Sequence, residues 1–87
     1  MKYRVEISEW VDGSGFEYTT IIDSFDEETT AEDYIEMCAD GPEGIILPVR
    51  GDDLLIDIID NETNEIVSEA WVGDSYRKWY GENWNER

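Results

Sequence analysis

Residues 2–22 read KYRVEISEWVDGSGFEYTTII, and their pattern predicts the β-hairpin on which the fold is built. Apolar residues alternate with charged or polar ones over about 2–11, the period of a strand with one buried face. The DGSG stretch at 12–15 predicts a tight turn, because glycine adopts positive φ without a steric penalty. Alternation resumes over 16–22 and predicts a second, antiparallel strand. Ile21 and Phe25 depart from the alternation, so we expect a bulge or a second covered face there.

A helix is predicted next, over about Thr30–Asp40, by apolar residues at helical spacing. These residues, at i, i+3, i+4 and i+7, are Ala31, Tyr34, Ile35 and Cys38. Thr29 with Glu32 fits a capping box, while Asp26 or Thr30 could cap the helix instead. The helix should therefore lie across the sheet on one apolar stripe.

The rest of the chain completes an α+β pattern. The Gly-Pro pair at 41–42 should end the helix, and the irregular segment 42–52 is interpreted as a core flap or a short edge strand. The later elements are predicted as a central strand over about 53–60, a turn at 61–64, a strand over 65–72 and a short helix over about 76–83. Asp74 or Ser75 should cap that last helix. We expect a single α+β domain, residues 1–87, with an antiparallel four-stranded sheet in ββαββα order.

The chain carries a formal net charge of −17, from 23 acidic and 6 basic residues. Thirteen acidic residues and no basic residue lie between Val5 and Val49, and eight more acidic residues lie between Gly51 and Tyr76 without a base. Surfaces that bind a phosphate backbone are basic and release its counterions, so this distribution argues against direct binding to nucleic acid. The negative electrostatic potential of so many acids attracts a basic protein partner and accelerates its association.

The sequence contains no motif for catalysis, for a metal or for a cofactor. Histidine, the most frequent general acid or base at neutral pH, is absent, so the lone Cys38 has no imidazole to activate it. The acidic turn from Asp60 to Glu65 departs from an EF-hand calcium loop at two positions. We therefore expect a protein that is not an enzyme and that needs neither a metal nor a cofactor.

No signal peptide or membrane-spanning run is indicated, because charges interrupt the first ten residues and no long apolar stretch follows. A single cysteine cannot form an internal disulfide. We expect a cytoplasmic protein with no membrane contact, present as a monomer or a small homo-oligomer.

The outer face of the predicted helix is the candidate surface for a partner. Its carboxylates, with those that lead into it, are Glu27, Glu28, Glu32, Asp33, Glu36 and Asp40. Glu28, Glu32 and Glu36 repeat at i+4, where a pair of like charges destabilises a helix by about 0.2–0.5 kcal/mol. A face that is only exposed to solvent would alternate Glu with Lys. The uniform negative charge therefore favours a surface whose charge has a role in binding.

The charge density of this face is similar to that of one nucleic-acid strand. A helix of eleven residues is about 16 Å long, and one DNA strand carries roughly five phosphates over that length. The acidic row supplies a similar number of carboxylates. Glu17, Asp57 and Glu69 could extend the row, although the sequence does not place them.

Three of the four tryptophans lie near the carboxyl terminus, at Trp71, Trp79 and Trp84. Large aromatic residues cover the sheet in a small domain, and they also anchor protein interfaces. Both interpretations stay open, and Trp79 and Trp84 are the candidate aromatic anchors.

In size, acidity and α+β style the chain resembles small inhibitors encoded by phages and mobile elements, notably anti-CRISPR and anti-restriction proteins that mimic nucleic acid. The resemblance covers the whole chain but no motif, so it assigns no residue a role. It implies stoichiometric inhibition of a nuclease through the nuclease's basic nucleic-acid-binding surface. The alternatives are an acidic regulatory or adaptor module that binds a basic protein without mimicry, a halophile-adapted domain with evenly spread acids, and a structural domain with incidental charge.

Overall fold

The fold is an α+β arrangement of antiparallel strands and two helices, described for residues 1–38 and 53–82 by a computed structural model. In these residues the elements are β1 (Tyr3–Val11), β2 (Gly15–Phe25), α1 (Ala31–Cys38), β3 (Asp53–Asp60), β4 (Ile66–Trp71) and α2 (Val72–Tyr80). The predicted α+β class is therefore confirmed. The predicted total of four strands and the ββαββα order refer to the whole chain, and the described elements alone do not establish them. The interpretation of 42–52 lies outside the described residues.

The described strands form one antiparallel sheet in the order β2-β1-β3-β4. The β1–β2 turn closes with a hydrogen bond of 3.0 Å from Ser14 N–H to the Val11 carbonyl. Gly13, with φ of 85°, supplies the left-handed conformation that this turn needs. The hairpin predicted from the DGSG stretch is thus confirmed.

A β-bulge interrupts the pairing of β1 with β2. Val5 pairs with Asp23 and Glu6 pairs with Ile21, so Ile22 is the extra residue in β2. A bulge shifts the following residues to the other face, and this explains why the alternation fails near Ile21. β3 lies between β1 and β4, and residues 54–59 of β3 are all buried, as expected for a central strand.

The core lies between the sheet and the two helices. Its buried residues are Tyr3, Val5, Ala31, Tyr34, Ile35, Leu54, Ile56, Ile58, Val72 and Tyr76. Cys38 packs against the margin of this cluster, so all four residues of the predicted apolar stripe face the core. Fully burying a Val, Leu or Ile side chain stabilises a fold by about 1.5–3 kcal/mol. This packing turns the opposite side of α1 outward.

The start of α2 differs from the sequence prediction. The helix begins at Val72, directly after β4, so the prediction of a start near Tyr76 with a cap at Asp74 or Ser75 was wrong. The side chain of Trp71 at the N-cap makes no capping hydrogen bond; instead, Asp53 Oδ1 accepts a hydrogen bond of 2.7 Å from Gly73 N–H. The capping group therefore comes from β3, 20 residues earlier in the chain, and a local capping pattern cannot reveal it. The predicted end of this helix near residue 83 lies outside the described residues.

Candidate functional site

Hydrogen bonds at its start and on its core side hold α1 on the sheet. Thr30 Oγ1 accepts one of 3.1 Å from Asp33 N–H, so Thr30 is the cap among the residues that the sequence left open. Ser68 Oγ of β4 accepts a second one, of 2.8 Å, from Ala31 N–H. On the core side the Tyr34 hydroxyl donates to Asp23 Oδ2 of β2 at 3.1 Å. α1 is thus tied to β2 and β4 at once, which fixes the direction of its outer face.

The environment of Tyr34 keeps that last hydrogen bond in place. Burial, the neighbouring Cys38 thiol and the Asp23 carboxylate raise the pKa of the Tyr34 phenol above its ordinary value. The phenol therefore stays protonated and donates to Asp23 across the neutral pH range.

The predicted acidic residues that the structure describes are all exposed. Glu32, Asp33 and Glu36 lie on the outer side of α1, and Glu27 and Glu28 lie in the segment that leads into it. Asp40 lies outside the described residues. α1 has eight residues, or about 12 Å, and one DNA strand carries roughly three or four phosphates over that length. The three helix carboxylates keep the expected charge density over the described length of the helix.

A cleft of about 420 Å³ lies between α1 and α2, beside β4. Its lining includes Glu32, Asp33, Glu36, Glu69, Ala70, Trp71, Asp74, Ser75, Lys78 and Trp79. Five of these residues are carboxylates and one is a lysine. We call this feature the acidic cleft. It joins three of the predicted acidic residues to one predicted aromatic anchor, whereas Glu27 and Glu28 do not line it.

Trp79 is the predicted anchor that the structure places at the acidic cleft. Its side chain is 36% exposed, and its ring centroid lies 5.8 Å from that of the buried Tyr76. One part of the indole therefore packs on the core while another part stays accessible, as interface anchors require. Trp84, the other predicted anchor, lies outside the described residues.

A second cleft, of about 620 Å³, is lined by aromatic residues that the sequence analysis did not group. Trp10, Phe16 and Trp71 form a cluster in which the ring centroids are 5.0–6.5 Å apart. Trp10 pairs directly with Phe16 across the hairpin. Their positions on either side of the DGSG turn are the sequence signal that could have revealed this pair. Trp71 belongs to both clefts, so the two adjoin.

A row of three carboxylates crosses the sheet, and its member on β4, Glu69, also lines the acidic cleft. Asp57 of β3 pairs with Glu6 of β1 on one side and with Glu69 of β4 on the other. Burial, hydrogen bonding to Glu69 and the charges of Glu69 and Glu6 raise the pKa of Asp57 from 3.8 to about 7. The sequence showed these residues as acids within strands, but only the strand register brings them together.

The described residues contain no cluster of candidate metal ligands. No group of three or more His, Cys, Asp or Glu side chains in this part of the chain could hold a metal ion. Cys38 is only half-buried and packs at the core margin. Among the same residues, no helix is long and apolar enough to cross a membrane. The acidic cleft presents carboxylates together with the aromatic surface of two tryptophans.

Comparison of the chain with family models, with curated proteins and with solved structures found no match. The geometry of the acidic cleft therefore carries the functional argument.

Proposed function

We propose that this chain is an acidic inhibitor that occupies the basic nucleic-acid-binding surface of a nuclease, in the manner of anti-CRISPR or anti-restriction proteins. In this proposal it acts in the cytoplasm as a phage or mobile-element product and has no enzymatic activity. The observation that carries the proposal is the acidic cleft: Glu32, Asp33 and Glu36 stand on a firmly held helix and share one cleft with Trp79.

Electrostatics supports this proposal over direct binding to nucleic acid. Channels that hold DNA or RNA present Lys and Arg at the spacing of phosphates. The carboxylates of α1 supply negative charges at a similar density, and the net charge of −17 guides a basic partner toward the protein. Bound in such a channel, the chain would exclude the nucleic acid and block cleavage without any chemistry.

The aromatic content of the cleft supports a protein partner. Trp79 and Trp71 line the same cleft as the carboxylates. An arginine that pairs with a carboxylate can also lie against an indole face, and such cation–π contacts contribute about 0.5–2 kcal/mol. Phosphate mimicry alone needs no indole, so the aromatic walls suit an interface that is specific for one basic protein.

The test is capture of partners from cells that contain CRISPR and restriction nucleases, followed by cleavage assays with the captured protein. We expect a nuclease to be recovered, to lose activity at a one-to-one ratio, and to be released by added substrate DNA or RNA. We also expect binding to weaken steeply as salt rises, because ions screen charge–charge attraction.

Two results would overturn the proposal. Capture of a basic protein that still binds its nucleic acid would favour the adaptor alternative, in which the same face binds without mimicry. Recovery of no basic partner, together with greater stability of the chain in molar salt, would favour the halophilic alternative.

A further inference from the structure

The cross-strand pairing of the carboxylate row suits a shared-proton site. Residues paired directly across antiparallel strands have Cβ atoms about 4.5–5.5 Å apart, and Asp57 has acidic partners on both sides, Glu6 and Glu69. Like charges directly opposite one another destabilise a sheet. A proton held between two of these carboxylates removes that repulsion and replaces it with a hydrogen bond.

Asp57 is the member of the row that water reaches least. Its side chain is 9% exposed, and its Oδ1 is buried without a hydrogen-bond partner. Arg4 forms an ion pair of 2.8 Å with Glu6 Oε2 within β1, and no base is among the groups that shift the pKa of Asp57. Among the described residues, the charged groups that face Asp57 are Glu6 from β1 and Glu69 from β4. A charged Asp57 would therefore stand unpaired between acids.

We propose that Asp57 and Glu69 hold one proton between them across the β3–β4 pairing, and that loss of this proton is a pH-sensitive switch that loosens β4. Asp57 donates the shared proton and Glu69 accepts it. Loss of the proton leaves adjacent negative charges at a strand that also holds α1 through Ser68. The switch does not depend on the proposed inhibitory function.

The direction of the pH dependence follows from proton binding. The pKa of Asp57 is about 7 in the folded chain against 3.8 ordinarily, so the folded state binds the proton more tightly than the unfolded state. The contribution to stability is full below about pH 4 and is lost as the pH rises toward 7. Within that window the contribution of Asp57 to the folding equilibrium constant falls by up to about tenfold for each pH unit.

The direct test is a titration of the side-chain carboxyl carbons by NMR from pH 4 to 9. We expect Asp57 to titrate with a midpoint near the pKa of about 7. Glu69→Gln removes the opposing charge and should move the Asp57 midpoint down by at least about one unit. Glu62→Gln, in the exposed turn after β3, is the matched control and should leave that midpoint unchanged.

Unfolding by urea at several pH values supplies the second readout. Asp57→Asn keeps a donor toward Glu69 at every pH, so the stability of this variant should change much less between pH 5 and 8 than that of the wild type. An Asp57 midpoint near 4 in the wild type would overturn the proposal. An equally steep pH dependence in Asp57→Asn would also overturn it, because general repulsion among the acids would then be the cause.

Discussion

α1 and α2 pack on the same sheet but are fixed in different ways. Thr30, the residue before α1, caps that helix. α2 depends on Asp53 from the start of β3, which accepts the hydrogen bond from Gly73 N–H. The helix with a local cap is the one whose start the sequence revealed. Where a residue far away in the sequence accepts the hydrogen bond from the first turn of a helix, the start of that helix cannot be predicted from the local sequence.

The outer faces of the two helices also differ. The Arg77 guanidinium of α2 pairs with Asp74 at 2.8 Å and lies 3.7 Å from Glu82, so that helix balances part of its own charge. Among the described residues, no such ion pair involves Glu32, Asp33 or Glu36 of α1. α1 thus leaves its charge available to a partner, and α2 adds Trp79 to the same cleft.

The largest effect is expected where α1 meets the core. Ile35 is 1% exposed, and Ile35→Ala should lower the free energy of unfolding by about 2–5 kcal/mol through lost burial and a cavity. Met37 is 71% exposed on the same helix, and Met37→Ala should change the free energy by less than about 0.5 kcal/mol. Urea denaturation measures both. Equal effects would mean that α1 is not packed as described.

Next in size is the cap that α2 receives from β3. Asp53→Ala leaves Gly73 N–H without its acceptor and should destabilise the fold by about 1–2 kcal/mol. Asp53→Asn keeps an oxygen at the same place and should lower the free energy of unfolding by only a few tenths of a kcal/mol, because Asn and Asp are roughly equivalent caps. The comparison uses thermal or urea unfolding near neutral pH. A large loss in Asp53→Asn would show that the charge rather than the acceptor holds α2.

The smallest effect should be a gain in stability on the acidic face of α1. Glu36→Lys replaces a like-charge pair with Glu32 by an attractive one and puts a base in the last turn. Together these changes should stabilise the fold by about 0.5 kcal/mol. Glu62→Lys, in the turn after β3, lacks both effects and is the control. Destabilisation by Glu36→Lys would show that Glu36 has a structural role and is not simply exposed charge.

The sequence was informative wherever the signal is local. The alternation over 2–22 predicted the hairpin, and the spacing of the apolar stripe predicted which acids of α1 face outward. Residues brought together by strand register or helix packing were not predictable. Asp57 and Glu69 are separate acids in the sequence, and the acidic cleft exists only because α2 starts at Val72 and places Trp79 beside α1.

The central claim is that the acidic cleft, and not total charge, binds the partner. The most direct test is the dissociation constant of the captured nuclease for two double variants at one salt concentration. Asp33→Lys with Glu36→Lys alters the cleft, and Glu62→Lys with Glu65→Lys makes the same charge change in the β3–β4 turn, which does not line the cleft. We predict a loss of roughly tenfold or more for the first pair, about 1.4 kcal/mol, and less than about threefold for the second. Equal losses for the two pairs, or no loss for the first, would contradict the account.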